Sequence, residues 1–306
     1  MVLQGEVREE TIVTQWQIIS EHIAQTTGRP FNPLEPRHVG GGCINTGVRL
    51  TDGERTYFVK LNTASLLDMF EAEADGLREM ADTRTIRVPE PLCCGLSDSQ
   101  SYLVMEYIDI DMGHGGRNGS ERAGRQLAEM HRRSQPRFGW FRDNTIGSTP
   151  QKNQTRDDWI DFWREQRLGF QLRLAERKGY GGTLQRRGER LMEHFQLLID
   201  HQPTPSLLHG DLWGGNLAYA SNGDPVIFDP AVYYGDREAD LAMTELFGGF
   251  GNRFYDAYRE SWPLAPGYST RKILYNLYHI LNHLNLFGGG YLGQASSMID
   301  RLLAEV

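Results

Sequence analysis

With 306 residues, of which 39% are hydrophobic, 24% charged and 10% aromatic, the chain has the composition of a globular protein and not of a disordered or fibrous one. That length exceeds what one hydrophobic core usually supports, so two packed lobes with a ligand cleft between them are expected. A net charge of -8 excludes a broad basic surface for nucleic acid. A nucleotide bound to so acidic a chain needs a metal cation beside its phosphates.

The three cysteines, Cys43, Cys93 and Cys94, are too few and too unevenly spaced for a disulfide framework or a zinc cluster. The first residues carry acids and no continuous apolar segment, and no apolar run reaches about 18 residues. A cytoplasmic protein with no membrane partner is predicted, with a monomer as the expected state.

In chain order, Ile12, Trp16, Ile19 and Ile23 recur at helical spacing and Gly28-Arg29-Pro30 stops the pattern. Three short alternating segments follow, Glu35 to Val39, Thr46 to Leu50 and Thr56 to Leu61. They are separated by Gly40-Gly41-Gly42 and by the hairpin dipeptide Asp52-Gly53. Leu66 to Met80 returns to helical period, and Glu90 to Gly95 and Ser101 to Tyr107 complete a five-stranded antiparallel sheet. After Tyr107 the grammar changes to a Gly- and Asp-rich stretch and then to helices, so a boundary is placed there, with residues 1–108 as one lobe and 109–306 as the other. The expected helices of the second lobe are Glu121–Arg133, Arg156–Lys178, Leu184–Asp200, Asp240–Phe247, Gly251–Trp262, Thr270–Leu286 and Leu292–Glu305. Ser206–Gly210 and Pro225–Asp229 read as short strands flanking a loop. The class is α+β, with a mainly helical second lobe.

The richest chemistry lies in His209-Gly210-Asp211-Leu212-Trp213-Gly214-Gly215-Asn216 and in Ile227-Phe228-Asp229-Pro230. A carboxylate, an amide five residues on, and a second carboxylate after a strand is the order phosphoryl transfer needs. Asp211 would take or orient a substrate hydroxyl proton, while Asn216 and Asp229 would offer oxygen ligands to Mg2+ on the phosphates of ATP. The bland alternative is a turn with Asx hydrogen bonds. Upstream, the amides of Gly40, Gly41 and Gly42 could approach phosphates with no side chain in the way. Lys60 would pair those phosphates, and Glu73 in the following helix would hold Lys60, with Glu71 as a competitor on nearly the opposite helix face. Met105, Glu106 and Ile108 stand where a hinge would meet an adenine edge, Met105 at the back and the other two through backbone groups. Together these features predict a bilobal protein-kinase-like fold that binds ATP.

The strings HGDLWGGN at 209–216, DREADLAMTELFGGF at 236–250, GGGCIN at 40–45 and NHLNLFGGGYL at 282–292 resemble the fructosamine kinase (ketosamine 3-kinase) family. So do FGWFRDNTIGSTPQ at 138–151 and WIDFWREQRLGFQL at 159–172, and the resemblance runs from near residue 10 to the C-terminus. It implies ATP-dependent phosphorylation of the 3-hydroxyl of ketosamines, the ribulosamine or fructosamine adducts of glycated amines, free or on proteins, and hence deglycation. It further implies Asp211 as catalytic base, Asn216 and Asp229 as metal ligands, and Lys60 with Glu73 as the phosphate-positioning pair. An aminoglycoside or choline-like phosphotransferase would share the core motif, and a silent nucleotide-binding scaffold is the reading from a different class.

Further residues carry weaker expectations. Trp213 beside the base suits stacking on a sugar or amine, or packing under the loop. Tyr275, His279 and Asn282 fall near one helix face and would line the acceptor pocket or form a satisfied polar seam. His209 is expected to fix its loop by a hydrogen bond, and Asp240 to cap the helix that it opens. Cys43, directly after the glycines, would be an oxidisable thiol beside the phosphates or a small residue in a tight loop.

Overall fold

Thr14 opens the first helix, α1 (Gln15–Thr27), with a capping box: its hydroxyl takes the Gln17 N–H, and the Gln17 side chain takes the Thr14 N–H at 2.6 Å. Gly28, at φ +69°, closes the helix in the left-handed conformation. The chain is described by a computed structural model, which covers residues 14–40, 45–111 and 115–306. Gly41, Gly42 and Cys43 lie outside the described residues, as does the start of the helical pattern at Ile12.

Five strands follow: β1 (Arg37–Val39), β2 (Thr46–Thr51), β3 (Thr56–Thr63), β4 (Pro91–Ser97) and β5 (Gln100–Glu106). They form one antiparallel sheet in the order β1-β2-β3-β5-β4. At the β2–β3 turn, Asp52 accepts the Glu54 and Arg55 amides at 3.0 and 2.7 Å, and Gly53 takes φ +98°, which explains the dipeptide. Ile19 and Ile23 of α1 pack with Val48, Leu50, Val59, Leu61 and Val104 into a closed core. Each such side chain contributes about 1.5–3 kcal/mol on burial. Cys93 joins this core and its neighbour Cys94 is half-buried, as adjacent strand residues must differ in face.

Helix α2 (Leu67–Ala81) precedes β4. The chain separates into two compact units, one of residues up to Phe70 with Pro91–Tyr107, the other of Glu71–Glu90 with Ile108–Val306. The division runs through α2, so sequence continuity and compactness do not coincide there.

The second unit contains β6 (Ile110–Asp111), α3 (Gly116–His131), β7 (Asn144–Ile146), β8 (Thr149–Gln151), α4 (Trp159–Phe162), α5 (Gly169–Arg177) and α6 (Thr183–His194). It continues with β9 (Ser206–Leu208), β10 (Leu217–Ala220), β11 (Pro225–Ile227), β12 (Tyr233–Gly235), α7 (Glu238–Leu246), α8 (Asn252–Ser261), α9 (Tyr268–Phe287) and α10 (Leu292–Leu303). Helices α3 and α8 approach so closely that a Cβ on Gly124 would lie 2.3 Å from the Phe254 carbonyl oxygen. The single helix expected over Arg156–Lys178 instead starts at Trp159, where Asp158 caps it, and passes through a π-type turn at Trp163–Leu168. Strands β9 and β11 fall within the expected Ser206–Gly210 and Pro225–Asp229, whereas β6, β7, β8, β10 and β12 escaped the period-two pattern: β10 pairs with both β11 and β6, β12 pairs with β9, and β7 pairs with β8. Among the described residues no helix is long and apolar enough to cross a membrane.

Candidate active site

Strand β9 is wholly buried and delivers the chain into His209-Gly210-Asp211. Gly210 takes φ +82°, and a Cβ there would sit 2.0 Å from the Ala231 carbonyl oxygen, so no other residue fits without moving the backbone. The Ala231 amide in turn donates to the His209 carbonyl at 2.8 Å. The loop is thereby pressed against the segment that follows Asp229. Asp229 itself has φ +58°, a left-handed conformation that Asp tolerates better than most side chains.

His209 is fully buried, with Nε2 3.0 Å from the Phe228 carbonyl and Nδ1 accepting the Asp211 amide at 3.2 Å. Those partners require the neutral Nε2–H tautomer, and burial pushes its pKa down accordingly. The histidine clamps the loop between its two carboxylate-bearing ends.

Beneath the loop stands Asp240, 2% exposed. Its two oxygens accept the His209 and Gly210 amides at 2.7 and 2.8 Å, and His131 Nε2 lies 3.1 Å away. Burial opposes its ionisation, but the hydrogen bond from His131 and those of the loop amides outweigh this and hold its pKa below the usual carboxylate range. His131 stays uncharged because it is buried, its Nδ1 accepting from the Tyr258 hydroxyl. The expected capping role of Asp240 is corrected: helix α7 begins at Glu238, and Asp240, inside its first turn, turns inward as the loop's anchor because bare loop amides buried there need an acceptor. The rest of that string is equally occupied. Asp236 accepts from the Tyr275 hydroxyl at 2.5 Å, and Glu238 holds buried Arg271 at 2.7 and 3.1 Å.

The loop brings three candidate groups together. Asn216 is buried, and its side-chain amide donates to the Asp211 carbonyl at 2.8 Å and to the Asp229 carbonyl at 3.5 Å. One side chain therefore ties both carboxylate residues through their backbones, while its amide oxygen remains chemically suited to a hard cation. The Asp211 pKa is raised to about 7, first by burial, then by the negative charges of Asp229 and Asp240. A carboxylate so placed is a stronger base than an exposed one, and adjoining anions of this kind suit a divalent cation.

Upstream, Lys60 is 5% exposed in β3 and paired in register with Leu103. A lysine so buried is not a solvated strand end. Met105 is buried in β5, Glu106 ends that strand, and Ile108 follows it. Glu73 lies half-buried in α2, and Glu71, two residues earlier, approaches Arg142 at 3.6 Å. Gly40 follows β1, and apart from its chain neighbours no described residue lies within 4 Å of where its Cβ would stand.

Trp213 stands 40% exposed two residues beyond Asp211, its ring lying over Gly215. It opens an aromatic row: Phe247 is 6.3 Å away edge-on, His283 is 4.9 Å from Phe247, and Phe287 and Tyr291 follow at 5.4 and 5.2 Å from His283. Phe247 and His283 were not singled out by sequence; their only signal was an aromatic within each family-like string. By contrast, Tyr275 and Asn282 sit in the polar seam inside the fold. Tyr275 spends its hydroxyl on Asp236 and Trp159, and Asn282 bonds Gln171 and the Ile146 carbonyl. His279 is buried, and burial lowers its pKa to about 3.

Fold and loop define the class, a phosphotransferase of the protein-kinase-like fold. An aminoglycoside phosphotransferase solved with AMP-PNP and hygromycin B shares the fold at a TM-score of 0.62 and 15% identity, over 94% of this chain and 98% of that one. Within that class the chain belongs to the fructosamine kinase family, whose family model matches residues 15–305. A probable ketoamine kinase of Synechocystis is 55% identical over 289 residues, 94% of this chain and 97% of its own length. The chloroplastic protein-ribulosamine 3-kinase of Arabidopsis thaliana is 47% identical over 282 residues, 91% of this chain and 85% of its own. A solved candidate fructosamine-3-kinase from Haemophilus somnus matches at a TM-score of 0.86 and 30% identity, over 94% of this chain and 97% of that one.

Proposed function

We propose that the protein is a ketosamine 3-kinase: it transfers the γ-phosphoryl group of ATP to the 3-hydroxyl of a ribulosamine- or fructosamine-type adduct, and so serves deglycation. The observation that carries this is the pairing of family membership with a loop in which one buried amide, Asn216, ties the backbones of Asp211 and Asp229. Asp211 accepts the hydroxyl proton as the oxygen forms its bond to phosphorus, and the raised pKa about 7 matches a base working near neutrality. Asn216 and Asp229 would hold Mg2+, whose charge would neutralise the phosphate oxygens as the leaving group departs.

Lys60 positions the phosphates and Glu73 holds Lys60; the glycines from Gly40 cover the phosphates, and Met105, Glu106 and Ile108 receive the adenine. Residues 1–108 then serve the nucleotide and 109–306 the acceptor. Trp213 offers its face to the sugar or amine of the adduct. Tyr275 and Asn282 are left out of the acceptor site because their polar atoms are already used.

The test is ATP consumption with Mg2+ on a panel of ribulosamine-, erythrulosamine- and fructosamine-modified lysine, choline and kanamycin, with Asp211→Ala beside the wild type. Turnover of a ketosamine that Asp211→Ala abolishes is expected. Turnover of choline or kanamycin alone would discard the acceptor, and ATP binding without any turnover would leave a nucleotide-binding scaffold.

A further inference from the structure

The phosphoryl-transfer roles leave the segment 142–153 and the π-type turn at Trp163–Leu168 without a task, yet both are built around polar groups buried at some cost. Arg167, from that turn, is fully buried; its guanidinium lies 4.0 Å from the Tyr233 ring centre, 4.6 Å from Phe162 and 5.7 Å from Tyr278. A cation enclosed by three aromatic faces has few directions in which to donate. Arg167 donates to the Lys152 carbonyl at 2.5 Å and to the Asn153 side-chain oxygen at 2.8 Å.

From there the bonds run in one direction. Asn153 donates to the Asn144 side-chain oxygen at 2.9 Å, as does Gln151, and Tyr278 donates to Gln151 at 2.7 Å. Asn153 also donates to the Arg142 carbonyl at 3.1 Å, while two further donors end on the backbone just past Asp229. Gln151 Nε2 donates to the Ala231 carbonyl at 2.9 Å, and Asn144 Nδ2 donates to the Val232 carbonyl at 2.8 Å. The Ala231 carbonyl is the same atom that packs on Gly210, and the Ala231 amide is already bonded to His209. Asp229, in a left-handed conformation two residues before Ala231, is thus held from the side by a hairpin whose geometry Arg167 sets.

We propose that Gln151 and Asn144 are positioning residues for Asp229: their amides fix the two carbonyls after Pro230, and so aim the Asp229 carboxylate at the metal. The inference rests on Asp229 as a metal ligand. It assigns the β7–β8 hairpin a part in metal affinity that its distance along the chain from Asp229 does not suggest.

The experiment measures Mn2+ binding in the presence of ADP by electron paramagnetic resonance, with kcat, ketosamine KM and thermal stability alongside. Gln151→Leu keeps the size and removes both donors. It is expected to weaken Mn2+ binding by about fivefold or more, since a buried carbonyl left unpaired shifts its segment by an energy of that order, and to lower kcat while the ketosamine KM holds. Gln185→Leu is the matched control. That buried amide also donates to two carbonyls, of Leu172 and Tyr180, but neither adjoins Asp229. It should lower stability and leave Mn2+ binding unchanged.

Should Gln151→Leu not fold, the half-buried Asn144, changed to Ala, decides by the same readout. Wild-type Mn2+ affinity in the folded hairpin variant, or an equal loss in Gln185→Leu, overturns the inference. Asp229→Ala separates the two levels. If Asp229→Ala loses Mn2+ binding and the hairpin variants do not, only the positioning role fails; if Asp229→Ala binds normally, the metal-ligand assignment fails and takes the positioning role with it.

Discussion

Asp211→Asn should make the protein more stable at pH 8 while abolishing turnover. The reason lies in the electrostatics of the loop: burial, Asp229 and Asp240 raise the Asp211 pKa from 3.8 to about 7. At about 1.4 kcal/mol per tenfold, that rise corresponds to roughly 4 kcal/mol against the ionised form. Asp211 is partly open to solvent, which screens part of this, so about 2 kcal/mol is the expected gain from a neutral side chain of the same shape. The loop's backbone bonds from Asn216 and to His209 involve main-chain atoms and survive the change.

The sign can be followed with pH. A carboxyl whose folded pKa is raised binds more protons folded than unfolded between the two values, so its contribution to wild-type stability falls as pH rises from about 4 to about 7. The variant lacks that loss. The difference between variant and wild type should therefore be close to nil at pH 4 and fully open at pH 8, where it amounts to a rise in Tm of roughly 4–8 °C. Differential scanning calorimetry at both pH values is the assay, with kcat measured on the same samples. A variant that is less stable than wild type at pH 8, or stabilised equally at both pH values, would refute the reasoning that Asp211 is held against its preferred charge state.

Two further changes test the scaffold under the loop. Asp240→Asn replaces an acceptor of two backbone amides and His131 with a group that can satisfy only part of them. It should cost about 3–5 kcal/mol in urea unfolding, as broken buried charged contacts do, and lower kcat, whereas a loss below 1 kcal/mol would deny the anchor role. Gly210→Ala must move the backbone of Ala231 or abandon φ +82°, so inactivation with reduced Tm is expected; full activity would show that the contact yields freely.

Much of this site was legible in the sequence because its chemistry is local. The spacing from Asp211 to Asn216 fits one loop, and the strands on either side of it bring Asp229 beside that loop; this is why residue types in order already indicated phosphoryl transfer. The first five strands and α1 followed from period, the Asp52-Gly53 turn and the Gly28 stop, all of which act within a few residues. What the sequence could not distinguish was purpose among identical side chains. Asp240 at the start of an apolar helix is indistinguishable from a cap until the fold shows which amides it faces, and Glu71 and Glu73 differ only in the helix face that their neighbours assign. Tyr275 and Asn282 share a helix stripe that could have lined the acceptor pocket or formed a polar seam, and the α4–α5 segment packed against α9 encloses them and supplies Trp159 and Gln171 as partners. The sequence by itself determined the class of chemistry and the order in which the candidate residues stand. The tertiary structure alone decided which buried polar groups meet one another, because hydrogen-bond partners such as Gln151 and Ala231 lie far apart in the chain, and no local pattern encodes which carbonyl a buried amide will find.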